Sequence, residues 1–174
     1  MFKQLFTNNV PKKYQDNLFL MFFGLTKIPM IFFVGPTVVC LDDKQCIIKI
    51  PLNRRTKNHL NSMYFGVLAT GADLAGGLVA MREIADSKKK VSLSFKDFHA
   101  EFLKRAEGDV HFICNQVPAI KKFVEEVIKS GERMNFPIYI EAIVPKDGND
   151  PIAKFTLTLS LKLKSYTANG SLLK

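Results

Sequence analysis

One carboxylate stands apart among the residues whose chemistry could serve a reaction. Asp73 is the only acidic residue between Asp43 and Glu83, and its neighbours in the chain are apolar. An ionised side chain in apolar surroundings is costly unless it is paired or close to water. Such a carboxylate can act as a general base or a nucleophile toward a carbonyl group. It could equally accept hydrogen bonds from backbone donors or a lysine in a structural role, so both interpretations stay open.

The residues around this carboxylate form the most helix-like stretch of the chain. Residues 62–85 are rich in Ala, Leu and Met and apolar nearly all round, which predicts a buried helix with Asn61 or Ser62 as its N-cap. Backbone amides of its first turn, near Phe65 and Gly66, could hold a developing oxyanion with the help of the helix dipole.

The same stretch contains four glycines, Gly66, Gly71, Gly76 and Gly77. Each internal glycine costs about 1 kcal/mol relative to alanine in a helix. Because four such residues require a reason, we expect another backbone to pack closely against this helix, as it would if a sheet wrapped around it.

The rest of the chain predicts the strands of such a sheet. Apolar runs with alternating or β-branched residues indicate strands at 37–41, 46–52, 91–102, 110–117, 136–144 and 155–163. A phase shift near Asp97 indicates a β-bulge. The run 110–117 is expected to return beside 91–102, and Pro118 to open a short amphipathic helix at 119–130. The predicted fold is α+β, with one long buried helix against an antiparallel meander of five or six strands.

Three segments follow from this pattern: a helical lead-in at 1–30, the main domain at 31–165 and a frayed tail at 166–174. The most hydrophobic run, 18–34, is interrupted by Lys27 and Pro29. A membrane span needs roughly 20 uninterrupted apolar residues. We therefore interpret this run as an amphipathic helix to about Thr26, then a Pro break and a buried strand or turn. Peripheral membrane contact is left open.

Charge and cysteine usage narrow the class of protein. The net charge of +9 attracts nucleic acid, acidic lipid or a phosphate-bearing small molecule. The cysteines are odd in number and have apolar neighbours, which suggests that Cys40, Cys46 and Cys114 are reduced, buried thiols. Since no signal peptide is convincing, we expect a cytoplasmic protein. The histidines, His59, His99 and His111, show no metal-ligand spacing, so no metal is expected.

Residues 58–66 and 72–73 together resemble a known signature. The run Asn58-His59-Leu60-Asn61-Ser62-Met63-Tyr64-Phe65-Gly66, followed by Ala72-Asp73, is similar to the motif of hotdog-fold thioesterases related to the phenylacetate-pathway enzyme. The similarity is greater to a branch of uncharacterised bacterial hotdog proteins with a Phe-Gly motif. Residues 104–110 resemble the strand–turn element of that family. Tyr64 stands where the motif has a histidine, and Asn61 stands where it has a loop glycine.

The resemblance covers about residues 36–164 and implies a hotdog fold, in which a curved antiparallel sheet wraps a long central helix. It implies an acyl-CoA or acyl-carrier thioesterase that is a homodimer or homotetramer. Asp73 is implied as general base or nucleophile, Asn58 as the loop asparagine, and Phe65 and Gly66 as the oxyanion hole. Across the dimer, Asp73 would face the Gly66 region of a partner.

Substrate contacts are implied at further positions. Tyr64, Ser62 and Asn61 lie in the motif itself. The candidates for the phosphates of coenzyme A are Arg54, Arg55, Lys57, Lys104 and Arg105, each of which could also belong to a solvated basic face. No cofactor is expected apart from the coenzyme A of the substrate.

Three other functions are alternatives to the thioesterase. A non-catalytic acyl-CoA or fatty-acyl-binding hotdog protein is favoured by Tyr64 and Asn61. A nucleic-acid-binding protein is suggested by charge alone, without an aromatic RNA-binding motif or a helix-turn-helix pattern. A hotdog hydratase lacks support because the catalytic histidine followed by a Gly-Pro-rich loop is missing.

Overall fold

The computed structural model describes residues 12–164. The helices are α1 (Lys12–Thr26), α2 (Pro29–Val34), α3 (Phe65–Ser87) and α4 (Val117–Ser130). The strands are β1 (Thr37–Leu41), β2 (Cys46–Ile50), β3 (Val91–Phe102), β4 (Val110–Cys114), β5 (Met134–Ile143) and β6 (Pro151–Leu163). These strands form one curved antiparallel sheet in the order β1-β2-β4-β5-β6-β3, which packs against α3. The predicted α+β fold, with one long helix and five or six antiparallel strands, is confirmed.

The strand order differs from the predicted meander at β3 and β4. We expected β4 to return beside β3, but β4 lies between β2 and β5, and β3 pairs with β6 at the edge of the sheet. The β3–β4 connection forms no hairpin because its backbone groups make hydrogen bonds to other parts of the chain. The amides of Leu103 and Lys104 donate to the Ile152 carbonyl at 2.9 and 3.0 Å, and the Ala106 carbonyl accepts from the Met63 amide at 2.8 Å. The chain is thereby carried away from β3 before β4 begins.

Helix α3 begins later than the predicted start at residue 62. Neither Asn61 nor Ser62 is its N-cap; Tyr64 takes that position, and its side chain makes no capping hydrogen bond. The residues before it are held in a turn instead, since the Asn58 amide donates to the Ser62 carbonyl at 2.8 Å. The prediction failed here because these contacts lie outside the helix and leave no mark on its apolar pattern.

Other residues pack closely against the glycines of α3, as expected, but they do so through side chains and not through backbone. A Cβ added at Gly71 would collide with the ring of Phe112 on β4, and one at Gly76 with Ile138 on β5. The sheet therefore approaches α3 closely through its inward-facing side chains, and the expected backbone contact was wrong at these two positions.

The N-terminal segment folds as two helices. Pro29, which we expected to precede a strand or turn, opens α2, where its missing N–H costs no helical hydrogen bond. Gly35 ends α2 in the left-handed region, at φ 63°. Helix α1 lies along the β1 edge of the sheet: Asn17 Nδ2 donates to the Val38 carbonyl at 3.1 Å, and the Val38 amide donates to Asn17 Oδ1 at 2.7 Å.

None of the helices described is long and apolar enough to cross a membrane. The first residues of the expected lead-in, 1–11, and the expected tail, 166–174, lie outside the described residues.

Two local predictions are confirmed. The pairing of β3 with β6 shifts register between Phe95 and Phe98, which places a bulge near Asp97. Helix α4 buries one stripe of apolar side chains and ends at Gly131, with φ 75°.

The cysteines are all free. Cys46 and Cys114 are buried, as expected, and burial raises the pKa of both thiols. Cys40 is only partly buried, contrary to the prediction, because it lies on the edge strand β1, where its Sγ is 3.3 Å from Asp42 Oδ2.

Candidate functional site

A groove of about 380 Å³ opens at the N-terminal end of α3. It is lined by Asn58, His59, Ser62, Met63, Tyr64, Phe65, Leu68, Phe102, Lys104, Arg105 and Ala106. The predicted site residues that meet there are Asn58, Ser62, Tyr64, Phe65, Lys104 and Arg105. Those that do not line it are Asp73, Gly66, Asn61, Arg54, Arg55 and Lys57. One described chain therefore holds only part of the expected site.

The loop before α3 is shaped by two side chains. Asn58 Oδ1 accepts hydrogen bonds from the amides of Leu60, at 2.8 Å, and Ser62, at 3.2 Å. The fully buried Thr56 donates from Oγ1 to the Pro51 carbonyl at 2.6 Å. The contacts of Asn58 are those of a loop cap, and they fix the wall of the groove.

The first turn of α3 presents two backbone amides to solvent or ligand. Within residues 12–164, the amides of Phe65 and Gly66 donate to no other group of the chain, and no side chain caps the helix. The ring of Tyr64 lies beside this turn, since a Cβ at Gly66 would come within 2.6 Å of Tyr64 Cε1. Unpaired amides at a helix N-terminus favour negative charge. This turn can therefore stabilise an oxyanion.

Asp73 is partly buried on α3, roughly 12 Å from Phe65 along the helix axis at about 1.5 Å per residue. Removal from water raises the pKa of its carboxyl, and neither a hydrogen bond nor an ion pair with the described residues offsets this effect. A carboxylate with a raised pKa is a better proton acceptor than an exposed one. Asp73 does not line the groove of its own chain.

The basic residues fall into two groups. Lys104 and Arg105 line the groove, and Lys104 Nζ lies 3.2 Å from Asp150 Oδ2 in an exposed ion pair. Arg55 lies against α2 instead, with its guanidinium 5.8 Å from the centroid of the Phe33 ring. Arg54, on the same loop, is exposed.

Family comparison adds to this geometry. The family described as a domain of unknown function, DUF4442, matches residues 16–160. The chain belongs to the DUF4442 family. No protein among those with curated descriptions matches it.

Solved structures match this DUF4442 chain over most of its length. A protein of unknown function from Chlorobaculum tepidum has a TM-score of 0.73 at 14% identity, covering 87% of this chain and 96% of that one. A protein of unknown function from Pseudomonas aeruginosa, described as a probable thioesterase, has a TM-score of 0.68 at 18% identity, covering 84% and 95%. A thioesterase from Haemophilus influenzae has a TM-score of 0.63 at 14% identity, covering 88% and 92%. The predicted hotdog fold is confirmed.

Sequence reasoning missed several groove residues of the DUF4442 chain, namely His59, Met63, Leu68, Phe102 and Ala106. His59 and Met63 lie in the 58–66 motif and Ala106 lies in the 104–110 element, but the resemblance implied no role for them. Leu68 and Phe102 lie outside both stretches. Asn61 has φ 60°, the left-handed conformation that glycine would adopt in the motif and that asparagine tolerates.

Within residues 12–164, no three His, Cys, Asp or Glu side chains are close enough together to hold a metal ion.

Proposed function

We propose that this DUF4442 protein hydrolyses acyl thioesters of coenzyme A or of an acyl carrier. The observation that carries the proposal is the groove: Phe65 lines it, and within residues 12–164 the amides of Phe65 and the adjacent Gly66 have no partner. The groove also has apolar walls and a basic rim. The apolar walls, including Met63, Leu68 and Phe102, suit an acyl chain.

The basic rim suits the phosphates of the thiol carrier. Lys104 and Arg105 are the basic residues in the groove lining. A phosphate offers several acceptor oxygens to such donors. An acyl chain that carries a phosphorylated thiol therefore matches both sides of the groove.

The proposed reaction uses Asp73 as general base. Its carboxylate takes a proton from water, and the water oxygen attacks the carbonyl carbon of the thioester. The amides of Phe65 and Gly66 stabilise the negative charge on the carbonyl oxygen. The carbon–sulfur bond then breaks, the acid leaves with the new carbon–oxygen bond, and the thiolate takes up a proton.

The proposed reaction joins groups from two copies of the chain. Asp73 lies about 12 Å along α3 from the amides of its own chain, so we assign it to the groove of a second copy in a homodimer. The exposed edge strand β3 supports this assembly, because it ends the sheet and carries Phe98 and Phe102, 44% and 50% exposed. An unpaired strand edge readily pairs with another chain.

The second candidate is acyl binding without turnover. It is favoured by Tyr64, whose ring occupies the side of the oxyanion-binding turn. The phenol lacks the acceptor nitrogen that a neutral imidazole offers in the related motif, so it is poorly suited to take a proton from water.

The experiment is release of free coenzyme A from short, long and aromatic acyl-CoAs, with wild type beside Asp73→Asn. Asp43→Asn, which changes a fully exposed carboxylate in the β1–β2 turn, is the matched control. Loss of turnover in Asp73→Asn alone supports the hydrolase. If wild type binds acyl-CoA but hydrolyses neither acyl-CoA nor acyl-carrier substrates, the hydrolase proposal is wrong and the protein binds acyl groups without turnover.

A further inference from the structure

Apolar side chains gather on the outer side of α1 and α2. The described residues leave sixteen large apolar side chains exposed, and nine of them lie between Tyr14 and Phe33. We define the α1–α2 face as Met21, Leu25, Ile28, Met30, Phe32 and Phe33, each of which is between 42% and 58% exposed. A concentration of exposed apolar side chains on one helix pair is typical of an interaction site in a folded protein.

The helix pair that carries this face is firmly packed on its other side. Leu20 of α1 and Ile31 of α2 are buried in the core. Gly24 lets the helices meet, because a Cβ there would lie 2.7 Å from the Phe32 amide nitrogen. The apolar side chains of the face are therefore presented outward by a fixed scaffold.

The α1–α2 face has one basic side chain of its own and a basic loop beside it. No acidic residue occurs between Asp16 and Asp42, and the single charge in that interval is Lys27. The neighbouring loop adds Arg54, Arg55 and Lys57, and Arg55 lies over the ring of Phe33. An apolar centre beside basic side chains is the pattern of helices that lie in the interface of an anionic membrane.

A second copy of the chain fits this face less well. In a two-fold dimer the same patch meets itself, so the basic loops would approach each other without an acidic partner on the patch. The exposed strand β3 also lies at the opposite edge of the sheet from β1, on which α1 is held. Self-association therefore has a separate surface.

We propose that the α1–α2 face docks onto anionic lipid bilayers. The apolar side chains enter the boundary between headgroups and acyl chains, while Lys27, Arg54 and Lys57 lie near lipid phosphates. The loop that carries the arginines continues into Asn58 and His59 of the groove, so docking holds the groove close to the lipid surface. The inference goes beyond thioester hydrolysis and is tested without substrate.

The first test is flotation of the full-length protein with phosphatidylcholine vesicles, with and without phosphatidylserine. We expect binding that requires the anionic lipid and weakens with salt. Leu25→Glu should lower the partition coefficient by about tenfold or more. The variant removes an apolar side chain that would be buried in the bilayer and adds a negative charge that anionic lipid repels. The matched control is Tyr139→Glu on β5, since Leu25 and Tyr139 are 58% and 57% exposed.

The basic rim is tested by a charge-matched pair of double variants. Lys27→Gln with Arg54→Gln should weaken binding by about fivefold for each charge removed. Lys121→Gln with Lys129→Gln removes the same charge from exposed positions of α4 and should bind like wild type.

Fluorescence gives a readout of insertion, because the chain contains no tryptophan. In Met30→Trp, the emission should shift to the blue with anionic vesicles and be quenched by brominated lipid. In Tyr139→Trp it should not change.

Two outcomes would overturn the proposal. One is the absence of vesicle binding by a protein that is folded by circular dichroism. The other is a Leu25→Glu variant that binds vesicles as wild type does but has a lower mass by light scattering, which would assign the face to a second copy of the chain.

Discussion

The Asp73 carboxylate lies over Gly77, one turn further along α3, with Oδ1 3.7 Å from the position that a Cβ on residue 77 would occupy. The ring of Phe95 on β3 is equally near that position, with Cζ at 3.7 Å. The carboxyl therefore shares its side of the helix with an aromatic ring and a residue that has no side chain.

Gly77→Ala tests this arrangement. Because the added methyl group makes only ordinary contacts, the helix should gain stability, by about 0.5–1 kcal/mol. The methyl group also removes water from Asp73, so the acid limb of the hydrolysis profile should move to higher pH. Chemical denaturation and the pH dependence of kcat measure the two effects.

Gly71→Ala is the contrasting variant on the same helix. Its methyl group would collide with the buried ring of Phe112, so we expect a loss of about 1–3 kcal/mol from overpacking. Equal stability of the two alanine variants would contradict the packing described for α3.

Asp73→Asn should change stability in a pH-dependent way. Burial raises the carboxyl pKa in the folded protein above the ordinary 3.8. Below that value both folded and unfolded chains are protonated, so wild type and variant should have similar Tm. As pH rises through 3.8 to the folded pKa, the unfolded chain loses a proton that the folded chain keeps, and wild type loses stability. Thermal unfolding at neutral pH should therefore show a higher Tm for Asp73→Asn, whereas a lower Tm would mean that the carboxylate has a partner in the assembled protein.

Asn58 variants separate a loop role from a substrate contact. Asn58→Ala removes the acceptor for the amides of Leu60 and Ser62 and should cost about 1–2 kcal/mol, since both amides lie in one tight turn. Asn58→Asp keeps an acceptor for both amides and should retain most of the stability. If the aspartate variant unfolds like wild type but loses turnover, the side chain has a role beyond the loop.

The double variant Lys104→Ala with Arg105→Ala should raise KM for acyl-CoA by about fivefold. The reason is that exposed contacts to phosphate together contribute about 1 kcal/mol of binding free energy. Lys121→Ala with Lys129→Ala on α4 is the charge-matched control. The same acyl group on pantetheine, which has no phosphate, separates phosphate contact from damage to the groove. A KM that rises equally for both substrates would contradict phosphate binding at this rim.

The features that the sequence predicted well depend on short stretches of chain. The bulge near Asp97 was visible as a change of alternation, and the buried stripe of α4 as helical spacing. Tight packing against α3 could be anticipated because glycines such as Gly71 and Gly76 are otherwise unfavourable in a helix.

The features that it did not predict depend on contacts between distant residues. The partner of β3 is decided by bonds such as those from Leu103 and Lys104 to Ile152. The late start of α3 depends on the contact of Met63 with Ala106. The separation of Asp73 from the groove also depends on the three-dimensional structure. The motif places Phe65 and Asp73 close together in sequence, but the helix holds them about two turns apart.

The pair of hydrogen bonds between Asn17 and Val38 has a consequence for assembly. A carboxamide presents one donor and one acceptor, as a neighbouring strand would, so it satisfies the outward-facing peptide groups of β1 at that position. Strand addition is thereby hindered at this end of the sheet and remains open at β3. Two sheets joined through β3 would carry a shielded end on either side, so growth by edge pairing would stop at a pair and would not continue into a fibre.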